Sequence, residues 1–150
     1  MQTDDDSGGG REEISFGPEP DLDAESFAEI LGASGLGERR PVDNLALLGT
    51  MLRNASIVVT ARAGGKLVGV ARGLSDRAFC FYLSDLAVHR DWQGRGIGRE
   101  LIRRSHELAG DTLLVLLAAP EAQTYYPRIG LSPFAHCFIA DRRSGPAEGS

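Results

Sequence analysis

A chain of 150 residues, 42% hydrophobic and 25% charged, can form one soluble domain with a real core and needs no disulfide or metal staples. Its net charge of −5 comes from the first 20 residues, where six acids face Arg11 alone; beyond them acids and bases balance, which excludes the basic footprint of a nucleic-acid binder. No apolar run approaches a membrane span, the start is neither signal-like nor transit-like, and Cys80 and Cys137 lack CxxC spacing, so a cytoplasmic protein with reduced, buried thiols and no membrane partner is expected.

In chain order, the acidic, glycine-rich residues 1–13 and the tail 144–150 read as disordered, and 14–143 as one domain without repeat or linker. Ile14 to Phe16 opens a first strand. Asp23 to Leu31 alternates apolar and acidic residues at helical spacing, with Asp21 or Asp23 as its cap. The glycine-rich loop "GASGLGERRP" leads to a second helix from Asp43 to Asn54, with Leu45, Leu48, Met51 and Leu52 facing inward. Two β-rich runs then flank Gly64-Gly65, the signal of a hairpin. "FCFYLSDLAV" is a third strand of the domain's middle, and Gly96 to Ala109 a helix with Ile97, Leu101, Ile102 and Leu108 on one face. "TLLVLLA" has no polar side, so it is expected in the sheet's centre, covered on both faces. A helix from Glu121 to Ile129 and a strand from His136 to Asp141 complete the order. The sum is a mixed α/β (α+β) fold with a mainly antiparallel sheet flanked by helices.

The most informative stretch is "LSDLAVHRDWQGRGIGRELI", a strand, a polar turn and a glycine-rich entry into a helix. Gly94, Gly96 and Gly98 strip side chains from the turn, so the unpaired N–H groups of the helix start can close around an anion. Hydrogen bonds to a charged acceptor contribute about 1.5–3 kcal/mol each against about 0.3–1 kcal/mol from the helix dipole, so N–H count and fit dominate. A dinucleotide fingerprint fails at Arg99 or Leu101, where glycine is required, and a Walker A loop fails because Lys66 is the sole lysine. A ligand-free glycine turn stays open from spacing alone.

Gln93-Gly94-Arg95-Gly96-Ile97-Gly98 resembles the Q/R-x-x-G-x-G/A signature of the GNAT N-acetyltransferase superfamily, with Leu86-Ala87-Val88 at the usual distance upstream. His89-Arg90-Asp91-Trp92 is similar to the family's "hPdy" turn with Arg90 for the proline, and "YYPRIGL" to its "fYxxxGF" segment. The resemblance implies a sheet with a splayed central strand pair, opening after the strand bearing Leu86, Ala87 and Val88, where the pantetheine arm of acetyl-CoA pairs like a missing strand. It implies that Gln93, Gly94, Arg95, Gly96, Ile97, Gly98 and Arg99 bind the cofactor, with the N–H groups around Arg95 to Arg99 holding the pyrophosphate, and that the partners are acetyl-CoA and an amine acceptor. Arg95, Arg99 and Arg103 are candidates for reaching the phosphates, although for Arg103 and Arg104 a solvated helix face is the favoured reading.

The family's chemistry is direct attack of an amine on the thioester. Exposing the lone pair of an ammonium at pH 7 costs roughly 4–5 kcal/mol, so a base or a water chain is needed. The family's strand glutamate has Ser84 in its place, followed by Asp85, the candidate base; strand alternation puts the two on opposite faces, so at most one points into a cleft. Aligned on "YxxxG", Tyr126 is the candidate acid for the leaving thiolate, whereas Ala119 replaces an asparagine often found seven residues earlier. Pro127 is expected to kink or restart the helix at Tyr126. His89, His106 and His136 are scattered without metal spacing, so no metal is expected. Arg39 and Arg40 either read an acidic acceptor or line the cleft mouth, or else are surface arginines flanking a proline turn. A non-catalytic acyl-CoA sensor and a structural interaction domain remain as alternatives, and the C-terminal β segment offers an edge on which a homodimer could pair.

Overall fold

The computed structural model describes residues 13–142. They fall into two compact units, divided after Leu117. The expectations for both tails lie outside the described residues, save Glu13, which is coil.

The first unit runs β1 (Ile14–Pro18), α1 (Ala24–Ser34), α2 (Leu45–Arg53), β2 (Ile57–Ala63), β3 (Lys66–Ser75), β4 (Cys80–Val88), α3 (Ile97–Ala109) and β5 (Leu113–Leu116). Asp23 caps α1 by accepting from the Ser26 N–H at 2.6 Å, and Asn44 caps α2 by accepting from Leu47 N–H at 3.0 Å. The hairpin of β2 and β3 turns on Gly64 and Gly65 at φ of +56° and +83°, the conformation a two-residue turn demands. The five strands lie in chain order, antiparallel except for the parallel pair β4–β5 made through α3. This is the mixed, mostly antiparallel architecture expected.

The sheet separates two cores. On one face Leu22, Phe27, Ile30, Leu31, Leu48 and Leu52 of the α1–α2 layer pack on Val58, Val70 and Ala87. On the other lies α3, contacting β2, β3 and β4. Gly69 permits that approach: a Cβ there would stand 3.0 Å from Leu101 Cδ1 and 3.2 Å from Ile97 Cγ2. A side chain at this position would push away the helix start on which the glycine loop hangs.

Several expectations need correcting. "TLLVLLA" is not central: β5 is four residues long and forms the sheet edge, with Leu113 66% exposed. An apolar run reports burial-prone side chains, not how many strands flank it. Leu45 and Leu108 are exposed, while Ser105 and Ala109 complete the buried face of α3. Both cysteines are exposed rather than buried.

The second unit, described from Ala118 to Arg142, has a 3-10 turn (Pro120–Ala122) and one four-residue helix, α4 (Tyr125–Arg128). The longer helix expected from Glu121 does not form. Pro127 sits in the first turn of α4, where its missing N–H is harmless, and Gly130 at φ +100° ends the helix as Leu131 N–H returns to Tyr126 O at 3.1 Å. The strand expected at 136–141 is absent; these residues are coil or turn, and Phe134, Phe138 and Ile139 are exposed. The edge proposed for a homodimer is therefore not a strand.

Candidate active site

β4 is paired on both sides only over its first half. Its partners in β5 run from Cys80↔Leu113 to Leu83↔Leu116 and stop, while the pairing to β3 continues to Gly69↔Val88. The strands thus part after Leu83, at the edge-side pair of the sheet rather than in its middle. His89 N–H donates to Val68 O at 2.8 Å, which gives the odd-numbered residues above the bulge to β3. Alternation turns the backbone of Ser84, Leu86 and Val88 the other way, into the gap. Two of those carbonyls are met by side chains: Ser84 O accepts from Arg40 Nη2 at 2.9 Å, and Val88 O from Gln93 Nε2 at 2.9 Å. The Leu86 N–H and C=O lie between them. Of the triplet, Leu86 and Val88 address the gap, whereas Ala87 turns its main chain to β3 and its side chain to the core.

The parting point coincides with a bulge. Arg72 opposes Asp85 and Gly73 opposes Leu83, so Ser84 is an extra residue in β4. The bulge switches faces: the Phe81 ring lies 6.1 Å from that of His106 on α3, while Ala87 joins the α1–α2 core. It also overturns the alternation argument for Ser84 and Asp85. Both meet one guanidinium, Arg72 donating from Nη2 to Ser84 Oγ at 2.9 Å and from Nε to Asp85 Oδ2.

Asp85 is fully buried, and its second oxygen, Oδ1, accepts from Arg40 Nε. A carboxylate held by two guanidiniums suits a structural counter-ion better than a proton acceptor. Arg40 is accordingly not the loose surface arginine of the second reading offered above; Arg39 is exposed.

The gap leads to the glycine loop. Gly94 and Gly96 have φ of +77° and +82°, which glycine adopts without strain. The first helical bond of α3 is Glu100 N–H to Gly96 O at 3.1 Å, and no side chain caps the helix. The N–H groups of Ile97, Gly98 and Arg99 are thus the unpaired donors of a 13-residue helix. Glu100, the acid of that turn, is drawn to Arg103 and Arg104, which hold its carboxyl down at about 2. These pairs, with Arg103 to Glu107 as well, account for both arginines along the helix face. Arg95 and Arg99 flank the cradle and are exposed, the Arg95 guanidinium 4.5 Å above the Trp92 ring.

Arg90, the departure from the usual proline, donates from Nε to Ala33 O at 3.1 Å and from Nη2 to Gly32 O at 3.4 Å. With Gln93 reaching Ser34 O at 3.4 Å, it ties the loop to the last turn of α1, where a cation is favoured. Sequence reasoning missed Arg72, Arg90 and the pinning of Arg40. In the second unit Tyr126 is half-buried, edge-on to Tyr125 at 5.3 Å, and burial raises its hydroxyl pKa above the ordinary value.

Residues 54–131 match the family model described as an acetyltransferase (GNAT) domain. The chain belongs to that family. Among curated proteins it is 31% identical over 102 residues to an uncharacterized N-acetyltransferase, ycf52, of Pyropia yezoensis, covering 61% of this chain and 55% of that one. The corresponding protein of Porphyra purpurea is 28% identical over 100 residues. The chain thus spans about half the length of the curated relatives it matches. Among solved structures, a putative acetyltransferase of Deinococcus radiodurans R1 superposes with a TM-score of 0.67 at 27% identity, over 89% of this chain and 94% of that one. The aminoglycoside N-acetyltransferase AAC(6')-Iy, solved with CoA, gives 0.68 at 15% identity over 87% and 95%, a likeness of GNAT fold alone. No helix among the described residues is long and apolar enough to cross a membrane.

Proposed function

We propose that this GNAT domain is an acetyl-CoA-dependent N-acetyltransferase that moves the acetyl group onto a primary amine of a small molecule or protein. The observation that carries the reading is the gap beside Leu86, continuous along β4 with the uncapped start of α3. The fit is chemical: an amide-bearing arm finds backbone partners at Leu86, and a diphosphate finds three N–H groups at Ile97, Gly98 and Arg99 beside two exposed guanidiniums. When bound, acetyl-CoA supplies an acetyl group on a thioester that an amine can attack.

The chain's residues then divide the work. Gln93 holds Val88 O and Arg40 holds Ser84 O, so the strand keeps its shape where β5 has left it. Gly94 and Gly96 set the loop, and Arg95 and Arg99 add charge at the phosphates. Asp85 acts as counter-ion to Arg40 and Arg72, and the proton lost by the ammonium goes to water. With acetyl-CoA bound, Tyr126, kept protonated by burial, would donate to the departing sulphur and recover its proton, through water, from the attacking nitrogen as the amide forms.

Calorimetry of the full chain with acetyl-CoA and with plain CoA, followed by thiol release with an amine panel, tests the proposal. Saturable binding with release supports it. Binding without release across the panel would make the chain a sensor, and no binding would end the reading.

A further inference from the structure

The charge cluster at the parting point of β4 and β5 does not balance. Asp85 pairs with both Arg40 and Arg72, and among the described residues no other carboxylate lies within ion-pair distance of either guanidinium. One positive charge is left over. The Arg72 side chain is 7% exposed and that of Arg40 24%, so the surplus faces outward through Arg40. Glu38 and Arg39, both exposed in the preceding turn, offset each other.

Arg40 also has donors to spare. Of its five N–H groups, Nε serves Asp85, Nη1 serves Arg39 O at 3.0 Å and Nη2 serves Ser84 O at 2.9 Å, which leaves two. A half-desolvated guanidinium short of a counter-ion gains most from a planar pair of anionic oxygens.

The cofactor's phosphates cannot be that anion. Ser84 and Val88 lie four residues apart along β4, about 13 Å, and the diphosphate cradle lies beyond the Val88 end. Arg40 stands at the opposite end of the gap, where an arm threaded from the cradle brings its acyl group.

Resting on the acetyl-transfer reading, we infer that Arg40 is a specificity-determining residue that seats a carboxylate of the acceptor. The acceptor is then an amine that also carries a carboxylate, as an amino acid does. The surplus charge has a second effect, since it repels a bare ammonium and leaves plain monoamines and polyamines as poorer acceptors.

The test uses the full chain, acetyl-CoA and matched acceptor pairs: β-alanine, γ-aminobutyrate and δ-aminovalerate, each beside its carboxamide. At least one acid should exceed its amide in kcat/KM by about tenfold to a hundredfold, mainly through KM, the worth of one charge-assisted contact. Arg40→Gln should bring the ratio near one, Arg40→Lys should keep part of it, and Arg39→Gln should leave it intact. Should Arg40→Gln fail to fold, the wild-type ratio and Arg40→Lys still decide. Amides acetylated as well as acids, or a preference that survives Arg40→Gln, would overturn the inference and leave the transfer reading standing. Absence of acetyl-CoA binding would remove both.

Discussion

Replacing Asp85 by asparagine separates a counter-ion from a catalytic base. The side chain keeps its shape but loses its charge, and two guanidiniums, one of them buried, are left facing a neutral amide that has only one acceptor oxygen. Breaking a buried ion pair by removing one partner costs about 3–5 kcal/mol, a large share of the roughly 5–15 kcal/mol that holds a domain folded. At a slope of about 2 kcal/mol per molar urea, the unfolding midpoint should fall by about 1.5–2.5 M. Urea unfolding followed by circular dichroism measures this, with thiol release on the folded protein below the transition. The double change Asp85→Leu with Arg72→Leu removes both charges and should recover part of the loss. A variant with the wild-type midpoint and no turnover would refute the counter-ion assignment and restore Asp85 as the base.

Three further outcomes follow from the same geometry. Gly96→Ala meets no atom within 4 Å, but φ of +82° costs an L residue about 1–2 kcal/mol, so stability and acetyl-CoA affinity should both fall; an unchanged affinity would detach the loop from cofactor binding. Acid should destabilise the fold between about pH 5 and 2. Asp76, which accepts three backbone N–H groups, and Glu100, between two arginines, both titrate near 2 when folded. The unfolded chain therefore binds more protons, and stability gained above the ordinary carboxylate range is lost as pH falls; urea midpoints flat from pH 6 to 3 would contradict this. Tyr126→Phe should lower kcat by about tenfold to a hundredfold with little change in KM for acetyl-CoA. Because the hydroxyl pKa is raised, the wild type should show no loss of its acid limb below pH about 10.

What the sequence disclosed, and what it hid, follows from the range of each interaction. The turn at Gly64-Gly65 and the loop at Gly94 and Gly96 were legible because a positive φ demands glycine locally. The apolar period of α3 and an aspartate cap for α1, left between Asp21 and Asp23, were legible because they too are local signals. The bulge at Ser84 was not, since register belongs to two strands and neither shows it alone. Nor was the Arg40–Asp85–Arg72 cluster, whose partners stand 45 and 13 residues from the carboxylate. The exposure of β5 was missed because its composition says nothing of what flanks it. Between Leu117 and Arg142, Pro120 and Pro133 interrupt the helical and β patterns that the side chains alone imply, while Pro127 fits only the first turn of α4.

Backbone amide chemical shifts, followed by NMR as plain CoA is added to the full chain, test the central claim most directly. Saturable shifts should concentrate at Ile97, Gly98 and Arg99, with a second group at Leu86 and Val88 along the β4 gap. Saturation without movement of the α3 amides, or no saturation at all, would contradict the account.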